Sequence, residues 1–307
     1  MFQNVLVGVD GRPSGRDAIA LASRLTDPTG KLTLAHVHSG ELRPSHAISP
    51  GVVREERKAS QEMLEQERAT ADVSAELIGI EAMNPGGGLH RQAEDQNADL
   101  LVVGSCSHGA FGRAMLGDDT RAALNGAPCA VAIATLGYAE HPTPITKIGV
   151  AYNGSPESTA ALTAARDLAV ATGATIHALE VVSIPTIAYT GIMPPAIGES
   201  IDVMLQEATS RMKELPGVEG RAVYGLTGEE LAAFAQEMDI LIAGSRGYGP
   251  VKRLVLGSTS DYLERHARCS VLVLPRSAAS QAEESTVSSE PSVDSEPSVE
   301  RETGTFA

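Results

Sequence analysis

Apolar residues recur along the chain in short uninterrupted runs that are separated by segments of helical periodicity. The runs cover residues 5–9, 32–37, 100–103 and 130–134, and again 148–151, 175–182, 240–243 and 271–274. Runs of about four to eight apolar residues are typical of parallel strands that are buried on both faces. Residues 55–71 and 200–214 have the length and composition of surface helices. The pattern therefore predicts an α/β protein with doubly wound sheets.

The second half of the chain repeats the first half. LLVVGSCSHGAFGRAMLGDDT at 100–120 aligns without a gap with ILIAGSRGYGPVKRLVLGSTS at 240–260. Near the start of each half, VGVDGRPSGRDAIALA aligns with VAYNGSPESTAALTAA, which places Asp10 opposite Asn153. Self-similarity over this length indicates a tandem duplication. We expect two domains, at 1–140 and 145–276, joined by the proline-containing stretch HPTPIT.

The amino-acid composition and net charge limit the kinds of partner that the protein is expected to bind. The chain has 307 residues, of which 42% are apolar, enough for two hydrophobic cores. Only 3% are aromatic, none is Trp, and the net charge is −15, which argues against nucleic acid as a partner. The longest uncharged stretches are broken by Gly and Pro, so no membrane span is expected. The three cysteines form no CxxC pair and no zinc-like cluster with histidine, and the N-terminus lacks a signal peptide, so we expect a cytoplasmic protein without a metal site.

The composition changes abruptly near the C-terminus. Residues 277–307 are rich in Ser, Glu and Pro, and the sequence SEPSV occurs twice within them. Such a segment buries too little apolar surface to offset the entropy lost on ordering, so it is predicted to be a disordered acidic tail. A solubilising role, and a role as a phosphorylated or partner-binding segment, both remain open.

A glycine-rich motif follows a predicted buried strand in the second half and precedes a predicted helix. It reads Gly244-Ser-Arg-Gly247, nine residues, then Gly257-Ser258. Glycine lets the backbone approach a polyphosphate closely, and the free N–H groups of a helix N-terminus point towards an anion. Hydroxyl groups of Ser258 and Ser260 add donors at the same place. From spacing alone, a phosphate cradle and an ordinary glycine-rich turn with a serine cap are equally good interpretations.

The spacing G-x2-G-x9-G-[ST] resembles the ATP-binding signature of the universal stress protein family. The resemblance extends over about residues 3–135 and 146–275, and includes IGVAYNGSPES and GSRGYGPVKRLVLGSTSDYLERHARCSVLVLP. It implies two tandem Rossmann-like domains, each with an open, parallel, five-stranded sheet and helices on both faces. It further implies that ATP is bound, with or without Mg²⁺, that no catalytic reaction is assigned, and that the domains pair through their last strands.

The resemblance also implies which residues hold the nucleotide. Asn153 stands where the family has an aspartate that faces adenine, and an amide can form an equivalent hydrogen bond. Gly244 and Gly247 would lie against ribose and phosphates, and Gly257 with Ser258 would hold the phosphate tail. The remaining residues of the predicted cofactor site are Gly249, Thr259 and Ser260.

The first half carries a degenerate version of the motif. The counterparts of the ATP-binding residues are Asp10, Gly104, Ser107, Gly109, Gly117 and Asp118. Ser107 adds a Cβ where the backbone would have to pass close to phosphate. Asp118 puts a carboxylate at a helix N-terminus, where it caps the helix and repels a triphosphate. The first domain is therefore predicted not to bind ATP in the family's manner.

These observations predict an ATP-binding regulatory protein of the stress response, without catalytic residues. No nucleophile paired with a base, and no carboxylate cluster for two metal ions, stands out in the sequence. Two alternatives stay open, a slow ATPase and a scaffold that works without nucleotide. A homodimer and a regulatory protein partner of unknown identity are further expectations.

Overall fold

The computed structural model describes residues 1–39, 50–105, 118–183, 195–245, 254 and 258–275. The predicted tail at 277–307 lies outside these ranges, as do most residues of both glycine-rich motifs.

Strands and helices alternate through each half of the chain. The first half contains β1 (Phe2–Gly8), α1 (Pro13–Leu25), β2 (Thr26–His38), α2 (Pro50–Ala71), β3 (Glu76–Glu81), α3 (Pro85–Asp95), β4 (Leu100–Gly104), α4 (Asp118–Leu124) and β5 (Ala130–Ala134). The second half contains β6 (Lys147–Ala151), α5 (Pro156–Thr172), β7 (Thr175–Val182), α6 (Pro195–Lys213), β8 (Glu219–Tyr224), α7 (Thr227–Phe234), a 3₁₀ turn (Ala235–Glu237), β9 (Ile240–Gly244), α8 (Ser258–His266) and β10 (Ser270–Leu274). The predicted α/β class and tandem arrangement are confirmed, as is each of the eight predicted strands.

The strands form one sheet in the order β3-β2-β1-β4-β5-β10-β9-β6-β7-β8. Within each half all strands are parallel. The halves meet where β5 and β10 pair antiparallel, with Val271 opposite Ile133 and Val273 opposite Val131. This confirms the expectation that the domains pair through their last strands, and it leaves neither apolar strand as an open edge.

Two strands of the structure do not correspond to apolar runs in the sequence. β3 and β8 lie at the two outer edges of the sheet, and their residues are exposed or only half-buried. An edge strand that carries polar residues lacks the continuous apolar run that marks a central parallel strand. The fifth strand of each domain was therefore implied by the family resemblance alone.

A shared core joins the two halves on one face of the sheet. Ile19 of α1 and Leu162 of α5 belong to the same buried cluster, together with Tyr138 and Ile145 from the connecting segment. The other face holds two separate clusters. The connecting segment is thus part of the packed interior, so the two domains are held together by more than the β5–β10 pair.

Asp17 of α1 fixes the connecting segment at one point. The residue is 2% exposed, and its carboxylate accepts hydrogen bonds from the backbone N–H groups of Gly137, at 2.9 Å, and Ala139, at 2.7 Å. Burial nevertheless raises the pKa of this carboxyl group, with Glu140 acting in the same direction, against the lowering effect of the two N–H donors. Asp17 has no acidic counterpart in the second half, where Ala160 occupies the aligned position.

Among the described residues, no helix combines the length and the apolar character needed to cross a bilayer.

Candidate functional site

Each half of the sheet has a cleft at the carboxyl ends of its strands. The strand order reverses between β1 and β4 in the first half and between β6 and β9 in the second. Loops on the two sides of such a switch point lead in opposite directions, which leaves a crevice where ligands bind in open α/β sheets. The cleft of the first domain measures about 300 Å³ and that of the second about 450 Å³.

The cleft of the second domain brings together the predicted site residues that the structure describes. Asn153, Gly244, Thr259 and Ser260 all line it, and α8 begins at Ser258 beside it. Gly247, Gly249 and Gly257 lie outside the described residues. The part of the lining contributed by strands and by α7 is largely apolar, and includes Ala151, Leu179, Val181, Leu231 and Ala243.

Asn153 shapes the loop between β6 and α5. Its side-chain Oδ1 accepts a hydrogen bond from the backbone N–H of Ser155 at 3.1 Å. In the first domain, Oδ1 of Asp10 accepts from the N–H of Arg12 at the same distance of 3.1 Å. Aspartate and asparagine serve this turn equally well because each offers the one oxygen that the turn requires. Asn153 therefore forms the same loop hydrogen bond as Asp10. In addition, its side-chain amide nitrogen is a hydrogen-bond donor, which an aspartate lacks.

Gly244 and Gly104 owe their identity to helix packing. A Cβ on Gly244 would lie 2.6 Å from the carbonyl oxygen of Glu157 in the first turn of α5. A Cβ on Gly104 would lie 2.0 Å from the carbonyl oxygen of Ser14 in α1. Only glycine lets the helix approach the strand this closely. The first glycine of each motif is therefore required for the packing of a helix against a strand beside the cleft, whether or not a phosphate binds there.

Ser245 is a lining residue that the sequence analysis did not select. It is 3% exposed, and its Oγ finds no hydrogen-bond partner among the described residues. Ser105, the aligned residue after β4, is in the same condition. A buried hydroxyl without a partner costs about 1–3 kcal/mol, so a ligand that supplies one gains affinity. The GS pair that occurs in both halves of the internal alignment is the signal that could have identified it.

The described lining of the second cleft carries little charge. Glu157 is the one charged residue of this described lining. Two cationic residues of the glycine-rich motif, Arg246 and Lys252, lie outside the described residues. The N-cap of α5 is Ser155, whose hydroxyl accepts from the N–H of Ser158 at 3.2 Å. Within the described part of this cleft, the groups that could meet an anion are N–H groups and hydroxyls.

The cleft of the first domain has a different polar set. Asp10, Arg12 and His36 line it, and the guanidinium of Arg12 lies 3.8 Å from the Asp10 carboxylate. Nδ1 of His36 is 2.8 Å from the hydroxyl of Ser60, and burial lowers the pKa of the ring. Gly104 lines the cleft, and α4 begins at Asp118. Ser107, Gly109 and Gly117 lie outside the described residues.

Metal ligands are not clustered in the part of the chain that the structure describes, where no group of three His, Cys, Asp or Glu side chains is placed to hold an ion.

Comparison with known protein families decides what the two domains are. The sequence model of the universal stress protein family matches residues 1–135 and again residues 144–275. The chain belongs to the universal stress protein family. It contains two copies of the family's domain in tandem, in agreement with the internal repeat and with the sheet topology.

Individual relatives agree with this assignment. The universal stress protein Rv2319c of Mycobacterium tuberculosis is 26% identical over 226 residues, which cover 68% of this chain and 70% of that protein. The universal stress protein Rv2623 of the same organism is 25% identical over 283 residues, covering 88% of this chain and 95% of the relative.

Solved structures share the fold. The universal stress protein of Archaeoglobus fulgidus DSM 4304 superposes with a TM-score of 0.61 at 19% identity, covering 89% of this chain and 98% of that one. The putative universal stress protein of Pseudomonas aeruginosa UCBPP-PA14 superposes with a TM-score of 0.61 at 16% identity, covering 93% of this chain and 98% of its own.

Proposed function

We propose that this universal stress protein binds ATP in the cleft of its second domain and acts as a regulator in the stress response, without a dedicated catalytic reaction. The observation that carries the proposal is the convergence of Asn153, Gly244, Thr259 and Ser260 on one cleft beside the first turn of α8. These residues come from two distant segments of the sequence, and the fold brings them to one crevice at the switch point of the sheet.

The cleft offers different chemistry to the two ends of a nucleotide. Its apolar wall, with Ala151, Leu179 and Leu231, suits a planar base, and the amide of Asn153 provides a polar group at that end. The hydroxyls of Thr259 and Ser260 lie in the first turn of α8, where N–H groups without intrahelical partners attract an anion. The phosphate tail is therefore assigned to α8, with the sequence glycines Gly247, Gly249 and Gly257 in the same motif.

We assign ATP to the second domain alone. In the first domain a carboxylate residue, Asp118, begins the helix that corresponds to α8, and Ser107 replaces the second glycine of the motif. The smaller volume of the first domain's cleft adds to the difference. Negative charge near a triphosphate opposes binding most strongly where water is excluded. The expected stoichiometry is one ATP per chain.

Slow hydrolysis of ATP is the alternative that the structure makes testable. Glu157 is the one carboxylate in the described lining, and it is the residue there that could act as a base towards water. A binding protein without this chemistry leaves ATP intact over hours, in the presence or absence of Mg²⁺. Turnover that disappears in Glu157→Gln, with ATP affinity retained, would establish the slow ATPase instead.

Isothermal titration with two matched variants tests the assignment of the site. Ser258→Asp introduces the first domain's carboxylate into the second domain, removing a hydroxyl and adding charge. Loss of a hydrogen bond to a charged group costs about 1.5–3 kcal/mol, so ATP affinity should fall at least tenfold. Asp118→Ala in the first domain should leave affinity within about twofold. Undiminished binding by Ser258→Asp would refute the site, and absence of ATP binding by the unmodified chain would favour a nucleotide-independent scaffold.

A further inference from the structure

One residue of the second domain's glycine-rich motif lies inside the first domain. In the sequence, Leu254 stands between Gly247 and Gly257, in the nine-residue interval of the motif. In the structure it is completely buried. Its carbonyl oxygen accepts a hydrogen bond from the N–H of Gly126 at 2.9 Å, and its own N–H donates to the carbonyl oxygen of Ala127 at 2.9 Å. Both partners belong to the first domain.

The side chain of Leu254 completes a core cluster built mostly by the first domain. That cluster includes Leu124 at the end of α4, Ala127, and Val131 of β5, along with Val271 and Val273 of β10. The N–H that donates to Leu254 belongs to Gly126, in the turn between α4 and β5. The φ angle of Gly126 is +91°, which glycine adopts without strain. Two backbone hydrogen bonds and a buried leucine therefore attach the motif of one domain to the turn between α4 and β5 of the other.

We propose that Leu254 is a positioning residue through which the first domain holds the second domain's ATP-binding motif in its binding conformation. The inference rests on the proposed ATP site. A motif that is already anchored loses less conformational freedom when a ligand binds, so the anchor raises affinity. The coupling is reciprocal, because a nucleotide that favours the anchored motif also strengthens the contact between the domains.

This role gives the first domain a function that needs no ATP of its own. The internal alignment places Ala114 opposite Leu254, so the aligned position of the first domain's motif has a methyl group where the second domain's motif has a leucine side chain. Ala114 itself lies outside the described residues. In this proposal, the second domain supplies the cleft and the first domain holds Leu254 of its motif.

The test compares three variants of the full chain by isothermal titration with ATP. Leu254→Ala should weaken ATP binding roughly tenfold, as expected when the binding-competent conformation becomes a minor one. Leu254→Met retains an apolar side chain of similar volume and should stay within about threefold of the unmodified protein. Leu168→Ala is the control, since Leu168 is a buried leucine of α5 outside the motif. It should lower the melting temperature and leave ATP affinity within about twofold.

Hydrogen exchange at the amide of Gly126 measures the same coupling from the first domain. Saturating ATP should slow this exchange severalfold in the unmodified chain, although Gly126 lies in the domain that binds no ATP, and should have little effect in Leu254→Ala. If the unmodified chain binds ATP but Leu254→Ala binds it equally well, or if ATP leaves the exchange unchanged, the inference is wrong while the proposed function stands. If the unmodified chain binds no ATP, the proposed function fails and the inference fails with it.

Discussion

Replacing Gly244 with alanine places a methyl group 2.6 Å from the carbonyl oxygen of Glu157 and 2.7 Å from its Cβ. Neither group is the end of a flexible side chain, because both belong to the first turn of α5. Ordinary contact begins near 3.4 Å. The helix N-terminus must therefore retreat by roughly 0.8 Å, and the residues it contributes to the cleft, among them Ser155 and Ser158, move with it.

The size of the effect follows from the strain. Overpacking of this kind costs about 1–3 kcal/mol of folding free energy, which corresponds to a fall in melting temperature of roughly 1.5–5 °C for a chain of this size. In the relaxed variant the cleft no longer has its native shape, and restoring that shape on binding would require the same strain again. ATP affinity should then drop by about five- to a hundredfold.

Gly104→Ala is the matched control. Its Cβ would lie 2.0 Å from the carbonyl oxygen of Ser14, so the same clash occurs at the aligned position of the first domain. This variant should lose at least as much thermal stability as Gly244→Ala. Because its cleft is assigned no ATP, its affinity for ATP should remain within about threefold of the unmodified chain, measured by titration well below the melting temperature. Equal losses of affinity in both variants, or an unchanged affinity in Gly244→Ala, would refute the reasoning.

Two further predictions concern buried titratable groups. The raised pKa of Asp17 means that the folded state favours its protonated form, so its contribution to stability is fullest below the ordinary carboxyl pKa and is lost as pH rises through the raised value. The melting temperature of the unmodified chain relative to Asp17→Asn should accordingly fall as the pH rises above the ordinary carboxyl pKa of about 4; a relative rise would contradict the sign. Burial raises the pKa of both Cys129 and Cys269 to about 12, so neither should react with a thiol reagent at pH 8 until the protein is unfolded. Rapid labelling of either residue in the native protein, detected by mass spectrometry of its peptide, would show that the cores open readily.

Central elements of the fold were predictable because they are buried on both faces. The runs that became β4, β5, β9 and β10 are continuously apolar, as the interior of a parallel sheet requires. The edge strands β3 and β8 were not found in the same way, since their exposed residues interrupt the pattern. Burial against neighbours on both faces, rather than local β-propensity, is what made a strand visible in the sequence.

Predicting the site from sequence was limited by contacts between distant segments. Motif spacing selected Gly244 and Ser260, the family resemblance added Thr259, and all three line the cleft. The reason why position 244 is glycine, its contact with α5, depends on how a helix about ninety residues away in the sequence packs on β9. The burial of Leu254 in the other domain depends on the antiparallel β5–β10 pairing and has no local signature.

Calorimetric titration of the unmodified full-length chain with ATP tests the central claim most directly. We expect a single class of site with a stoichiometry of one ATP per chain. Ser258→Asp should weaken this binding at least tenfold, and Asp118→Ala should leave it nearly unchanged. A stoichiometry of two, or binding that Ser258→Asp leaves intact, would contradict the assignment of ATP to the second domain alone.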